Sequence, residues 1–216
     1  MNYMRQLAWF NPQNADLPMI HVIGCGGIGS FLVPMLVKMG WHSVAVYDFD
    51  RVEEHNLPNQ NFKLTDVGEY KVDAIQLRIY EDTGTLIEVV PRKFDVSDIV
   101  NPGRPALYVL AVDSIDMRKE LYQMVRGLSN CIGILDGRLG GLLYECMGID
   151  ARKPEQLIEY ECTLFDGGKS VQAPCTAKSI IYVGSAIAAD LCSMIRKWYT
   201  NGQTFECMCE VGRDLR

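Results

Sequence analysis

Between residues 19 and 50 the spacing of apolar positions changes twice. Ile20, Val22 and Ile23 stand together and are partly β-branched, as in a buried strand. Gly24-Cys25-Gly26-Gly27-Ile28-Gly29 follows at once. Phe31, Leu32, Met35, Leu36 and Met39 then recur at helical spacing, and Gly40 closes the helix. Val44, Ala45, Val46 and Tyr47 form a second strand that ends on Asp48. Beyond a polar, proline-containing loop over 49–62, Val72, Ile75 and Ile79 mark the apolar face of another helix, with Leu77 and Tyr80 as further candidates. Strands are predicted over 86–90 and 107–112, and a short helical turn over 95–100. A helix follows over 115–128, then a buried strand over 132–135. Residues 136–141 read as a turn and 142–149 as an antiparallel strand. Residues 154–160 and 165–169 read as polar connections. The longest helix, 178–199, carries the face Ile180, Gly184, Ile187, Leu191, Ile195 and Trp198. Residues 205–211 alternate as a last half-buried strand.

Strands alternating with helices predict an α/β fold: a doubly wound, Rossmann-like, largely parallel sheet with an antiparallel C-terminal extension. The expected organisation is one domain over 1–216. Residues 1–18 form a lead-in, 19–150 a nucleotide-binding core, and 151–216 a crossover, long helix and final strand. In the lead-in, Leu7, Trp9 and Phe10 can dock on a core or on a partner.

The chemistry concentrates where strands end. A glycine-rich turn between strand and helix lets a phosphate approach main-chain N–H groups at the positive end of the helix, so Gly24, Gly26, Gly27 and Gly29 are candidate nucleotide contacts. The competing reading is glycines used only for tight helix–strand packing. Asp48, an acid at the next strand tip about 20 residues on, suits ribose hydroxyls. Asn56, Asn59 and Gln60 offer amide donors and acceptors in a loop that a doubly wound sheet places beside its ligand. Lys71 falls in the first turn of a helix, the unfavourable end of the macrodipole for a cation, which hints at a nearby anion. Asp113 ends the apolar run 107–112 and can take Mg²⁺ or cap the next helix, a role Ser114 can also fill. Arg5 is either a surface arginine or the one cation of the lead-in able to reach a site.

Composition narrows the classes. The 216 residues carry 21 basic and 27 acidic side chains, a net charge of −6, which argues against a general nucleic-acid binder. No leader and no run of about 20 apolar residues is read, so no membrane span is expected. Eight scattered cysteines suggest reduced thiols in a cytoplasm.

Taken in order, these motifs resemble the ThiF/MoeB/HesA group and the adenylation domains of ubiquitin-activating enzymes. That pattern runs GxGGxG, DxDxV, NLxRQ, a lysine after (D/E)xG, then a strand ending in D(N/S) with an arginine shortly after. Here it is matched by Gly24–Gly29, Asp48-Phe49-Asp50-Arg51-Val52, Asn56-Leu57-Pro58-Asn59-Gln60, Asp66-Val67-Gly68 with Lys71, and Asp113-Ser114 with Arg118. Tyr3-Met4-Arg5-Gln6 resembles the YxRQ that opens these proteins.

The resemblance implies ATP-dependent adenylation of a carboxylate, usually the C-terminal glycine of a ubiquitin-like or sulfur-carrier protein, in a cytoplasmic homodimer. By the same carry-over Gly27 meets the nucleotide, with Asp50 and Ser114 among its contacts. Asp48 binds ribose, Lys71 binds phosphate, Asp113 holds Mg²⁺, and Asn56 positions phosphate or metal. Arg5 would enter the partner's site. Cys175, in a Pro-Cys-Thr turn, is either a thiol that captures the activated carrier or a structural cysteine.

The chain departs from the pattern in three places. The arginine of NLxRQ is Asn59, which suggests weaker catalysis, a substitute cation such as Arg51 or Arg138, or an inactive scaffold. The asparagine of the DN pair is Ser114. No CxxC pair is present, so zinc at Cys162, Cys175, Cys207 and Cys209 is not expected, and buried thiols are the default. An NAD-dependent oxidoreductase would account for the glycine turn and Asp48 but not for Lys71, Asp113 or the NLPNQ loop.

Overall fold

The computed structural model describes residues 1–12, 17–99, 101–165, 180–202 and 208–212. Among the described residues seven strands form one sheet, in the order β3-β2-β1-β4-β5-β6-β7. They are β1 (Met19–Ile23), β2 (Val44–Tyr47), β3 (Glu88–Val90), β4 (Ala106–Leu110), β5 (Cys131–Gly140), β6 (Leu143–Asp150) and β7 (Met208–Gly212). From β3 across to β5 every pairing is parallel; β5–β6 and β6–β7 are antiparallel. The expected architecture, including the antiparallel extension, is therefore the observed one. The chain order reverses between β1 and β4, and ligands of such sheets bind outside the carboxyl ends of the strands at that point.

Alternation along the strands builds two cores. Ile20 and Val22 of β1 face one, with α1 (Gly29–Met39), α2 (Lys71–Thr83) and α5 (Ile181–Thr200). Ile23 faces the other, with α3 (Ile115–Val125) and α4 (Pro154–Phe165). Gly184, Ile187, Leu191, Ile195 and Trp198 of α5 are buried, as the periodicity predicts. Each such aliphatic side chain contributes about 1.5–3 kcal/mol, more than helix propensity does. Ile180 lies outside the helix and is exposed, and so are Leu77 and Tyr80 on α2. Phe10 docks on the core by stacking on Trp41, whereas Leu7 and Trp9 remain exposed.

Two elements differ from expectation. Residues 136–140 are not a turn: β5 continues to Gly140 and pairs with β6 from Gly133↔Asp150 to Gly140↔Leu143. Glycine here serves packing, because a Cβ on Gly137 would stand 2.9 Å from Ile187 Cγ2. Residues 154–165 are a helix rather than a polar connection. Tyr160 and Leu164 are buried against the second core with Leu157 packed beside them, a short helical stripe hidden among polar neighbours. β3 also starts later than expected, at Glu88, since Leu86 is exposed.

Candidate functional site

β1 ends in a turn whose shape glycine alone permits. Gly24 has φ +103°, and a Cβ there would lie 2.5 Å from the Ala111 carbonyl oxygen just beyond β4. Its N–H donates to Tyr47 O, which ties the tips of β1 and β2 together. Among the described residues no protein acceptor meets the N–H groups of Gly26, Gly27 and Ile28. These donors precede α1, where the helix dipole adds positive potential, so the turn fits an oxyanion such as a nucleotide phosphate.

Asp48 sits beside the turn, fastened by main chain. Its Oδ2 accepts from Cys25 N at 2.6 Å and its Oδ1 from Asp50 N at 2.8 Å. Burial pushes its carboxyl above the usual range, and the Lys71 ammonium and these two N–H groups pull it part of the way back. Each oxygen keeps a lone pair for a ribose hydroxyl. Lys71 opens α2, is 6% exposed, and its Nζ meets Asp50 Oδ2 at 2.7 Å. The anion that offsets this poorly placed cation is thus supplied by the chain itself. An antiparallel bridge between Arg51 and Tyr70 and the bond from Lys71 N to Asp50 O hold the two loops together.

The 56–60 loop lies against the glycine turn. Asn59 O and Gln60 Nε2 each lie 3.8 Å from where Cβ atoms on Gly27 and Gly26 would stand. Asn56 Oδ1 accepts from Glu53 N and so closes a local turn, with its amide nitrogen as what it can offer a ligand. Among the described residues the side-chain oxygens of Asn59 and Gln60 are buried without a hydrogen-bond partner.

Across the switch point Asp113 is exposed just past β4, and Ser114 caps α3 by accepting from Met117 N at 3.4 Å. The cap therefore belongs to Ser114. A single carboxylate suits Mg²⁺, which takes one or two carboxylates together with substrate phosphates. Among the described residues no cluster of three or more metal-ligating side chains occurs.

Behind Asp113 the buried Arg118 donates to Leu110 O, Val112 O, Gly137 O and the Asp136 carboxylate. Burial lowers its pKa to about 10, still charged at neutral pH. Asp136 also accepts from Arg138 Nε at 2.7 Å and from the Tyr160 hydroxyl at 2.9 Å. Sequence reasoning missed Asp136 and Tyr160. The one signal was an acid and an arginine, Asp136-Gly137-Arg138, directly after an apolar run.

One expected residue does not join this constellation within the chain. Arg5 is exposed in a turn anchored by Gln6 Nε2 on Met39 O (2.7 Å) and by Tyr3 on His42 (2.8 Å). That anchorage is the far end of α1, about 16 Å from the glycine turn at 1.5 Å per residue. Cys175 lies outside the described residues, as does Cys207; Cys162 is exposed on α4. No described helix is long and apolar enough to cross a membrane.

Comparison with known proteins agrees with this geometry. Over 107 residues the chain is 34% identical to the NEDD8-activating enzyme E1 catalytic subunit of Arabidopsis thaliana, covering 48% of this chain and 23% of that protein. Over 108 residues it is 29% identical to tRNA threonylcarbamoyladenosine dehydratase 2 of Saccharomyces cerevisiae, covering 47% and 24%. The chain thus spans about a quarter of the length of these relatives. Among solved structures it resembles PaaA (TM-score 0.69, 15% identity) and E. coli MccB (TM-score 0.66, 14% identity). It aligns over 94% of its own length in both cases, and over 65% and 64% of theirs. MccB has also been solved with ATP. The family model described as the ThiF family matches residues 14–205, nearly the whole chain, and the protein belongs to that family.

Proposed function

We propose that this protein is an ATP-dependent adenylyltransferase that activates a carboxylate, the C-terminal glycine of a ubiquitin-like or sulfur-carrier protein. The observation that carries the reading is the set of unpaired N–H groups at Gly26, Gly27 and Ile28 with Asp48 and Lys71 beside it. Two of the matched proteins support it: one is named as an activating enzyme for NEDD8, and MccB has been solved with ATP.

A carboxylate is a poor electrophile, and joining it to AMP gives it a good leaving group. One carboxylate oxygen attacks the α-phosphorus, the bond from that phosphorus to its bridging oxygen breaks, and pyrophosphate departs. Both reactants are anions, so the protein's task is to hold them in line and offset their charge. The turn N–H groups and Lys71 hold phosphate oxygens, and Asp48 holds the ribose. Lys71 leaves Asp50 to do so, exchanging one anion for another. Asp113 would hold Mg²⁺, whose contribution is charge neutralisation on the phosphates. Arg5, remote from its own site, is assigned to the partner's site in a homodimer.

A thermal shift with ATP–Mg²⁺ against NAD tests the nucleotide, since ligand at 100 times Kd adds about 2.7 kcal/mol to stability. ATP–Mg²⁺ raises Tm and NAD does not; a shift with NAD alone overturns the reading. Pyrophosphate exchange with glycine-ended carriers then tests the chemistry, and Lys71→Ala lowers its rate by about 10²-fold. One observation favours a second reading: Asn59 stands where the family pattern has arginine, which would leave a nucleotide-binding scaffold. ATP binding with no exchange under any carrier would establish that alternative.

A further inference from the structure

Position 59 carries asparagine where the family pattern has arginine. Asp136 is wholly buried and receives two guanidinium groups, those of Arg118 and Arg138. One carboxylate neutralises one of them, so the cluster keeps one positive charge at the carboxyl ends of β4 and β5. Arg118 does not deliver that charge, because it is buried and the four N–H groups of its terminal nitrogens are spent on Asp136 and three main-chain carbonyls inside the protein.

Arg138 is different. Its side chain is 19% exposed. Nε donates to Asp136, Nη2 to Thr163 Oγ1 at 2.9 Å, and Nη1 to Thr163 O at 3.4 Å, which leaves a second N–H on each terminal nitrogen. The Tyr160 ring lies 5.5 Å from its guanidinium carbon, and the Tyr160 hydroxyl holds the carboxylate that holds Nε. The group is therefore fixed from three directions, as a preorganised anion contact requires.

Its location matches. The Arg118 guanidinium reaches both Val112 O and Gly137 O, so the residues that follow these, Asp113 in the loop after β4 and Arg138 on β5, flank one buried group. Leu139 lies next along β5, and its Cδ2 is 3.8 Å from where a Cβ on Gly27 would stand. Successive residues of a strand face opposite sides, so Arg138 turns to the α4 side of the sheet, one residue along from Leu139 and beside the end of β4 that Asp113 follows. Arg51, the other candidate by sequence, is exposed beyond β2, with Nη1 on Gly68 O at 2.7 Å and its guanidinium carbon 3.9 Å from the Tyr70 ring centre.

We propose that Arg138 is the cation that replaces the missing arginine: its two remaining N–H donors bind an oxyanion of the reactants, and Asp136, Tyr160 and Thr163 position it. The assignment rests on the adenylation reading. The oxyanion is a nucleotide phosphate oxygen or an oxygen of the carboxyl group being activated, and ligand binding separates the two.

Calorimetry on wild-type protein, Arg138→Gln and Arg51→Gln uses three probes: ATP–Mg²⁺, adenosine, and 5′-O-(glycylsulfamoyl)adenosine as an acyl-adenylate mimic. Loss of charge-assisted hydrogen bonds weakens a ligand by about ten- to a hundredfold. Such a loss for ATP in Arg138→Gln, with adenosine unchanged, identifies a phosphate oxygen. The same loss confined to the mimic identifies the carboxyl oxygen. Arg51→Gln keeps wild-type affinities. Unchanged affinity for all three probes in folded Arg138→Gln overturns the proposal and reduces Arg138 to a tie between β5 and α4. If Arg138→Gln does not fold, Arg138→Lys, which keeps the charge but not the fork, is measured instead, and wild-type affinity for every probe again overturns it. Wild-type protein that binds no ATP refutes the adenylation reading itself, which is a separate result.

Discussion

The two sides of the switch point are built from different materials. On the β1–β2 side the groups that would meet a nucleotide are main-chain N–H donors, a carboxylate fastened by two more of them, and a lysine held by one acid. On the β4–β5 side the groups are side chains: a buried aspartate gathers two arginines and a tyrosine, with Asp113 exposed beside them. A main-chain cradle depends on a few glycines and tolerates most other change. A side-chain cluster in a low-dielectric interior depends on each member, because losing one leaves the others charged and unpaired.

The sharpest way to break this contrast is Asp136→Ala. It strands Arg118 in the core, and removal of one partner from a buried pair costs about 3–5 kcal/mol. Urea unfolding should show a loss of that size. A loss under about 1 kcal/mol would place Arg118 in contact with water and dissolve the distinction between the two sides.

The next test is pH. His21 on β1 points into the same core as α3 and α4, bonded to the Tyr47 hydroxyl at 2.8 Å and stacked on Tyr108. Burial, helped by Arg104 and opposed by Asp98, lowers its pKa from 6.5 to about 4. The folded pKa is below the unfolded one, so the unfolded chain binds this proton first. The contribution of His21 is complete above pH 6.5, falls as pH drops towards 4, and is gone below that. The shift corresponds to about 3 kcal/mol at most. Stability curves of wild-type protein and His21→Phe should converge in shape above pH 6.5 and differ in slope between 6.5 and 4. Parallel slopes would show that His21 takes up its proton in the folded state as readily as in the unfolded chain.

The smallest effect belongs to Ser114. As an N-cap its replacement by alanine costs about 1 kcal/mol of stability. ATP affinity should stay close to wild type; a loss of about tenfold would make Ser114 a ligand contact rather than a cap.

The same contrast decides what could be read from the sequence. The glycine turn, Asp48, Lys71 and Asp113 were legible because each sits at a fixed offset from a strand or helix end, and local pattern encodes such offsets. Asp136, Tyr160 and Thr163 were not, because they meet through pairing and packing between β5 and α4. The helix over 154–165 escaped notice because its buried face is a narrow stripe among charged neighbours. The end of β5 reads as a turn in the sequence because Gly137, Gly140 and Gly141 look like turn residues. Only Gly141, with φ +67°, is one. Ser114 and Asn56 show a further limit. A polar side chain near a strand or helix end can serve the chain's own N–H groups as readily as a ligand, and sequence does not say which.

Gly184 on α5 stands with its missing Cβ 2.1 Å from the Gly27 carbonyl oxygen, so the long helix rests directly on the glycine turn. A turn pressed from above by a helix more than 150 positions later in the chain is not a detachable part. The opening strand–turn–helix–strand unit, grafted elsewhere, would carry the glycines without the weight that keeps their peptide planes in place. Under the proposed function, nucleotide recognition would be a closing event: the turn is finished when α5 arrives, and a growing or truncated chain has the motif well before it has the site.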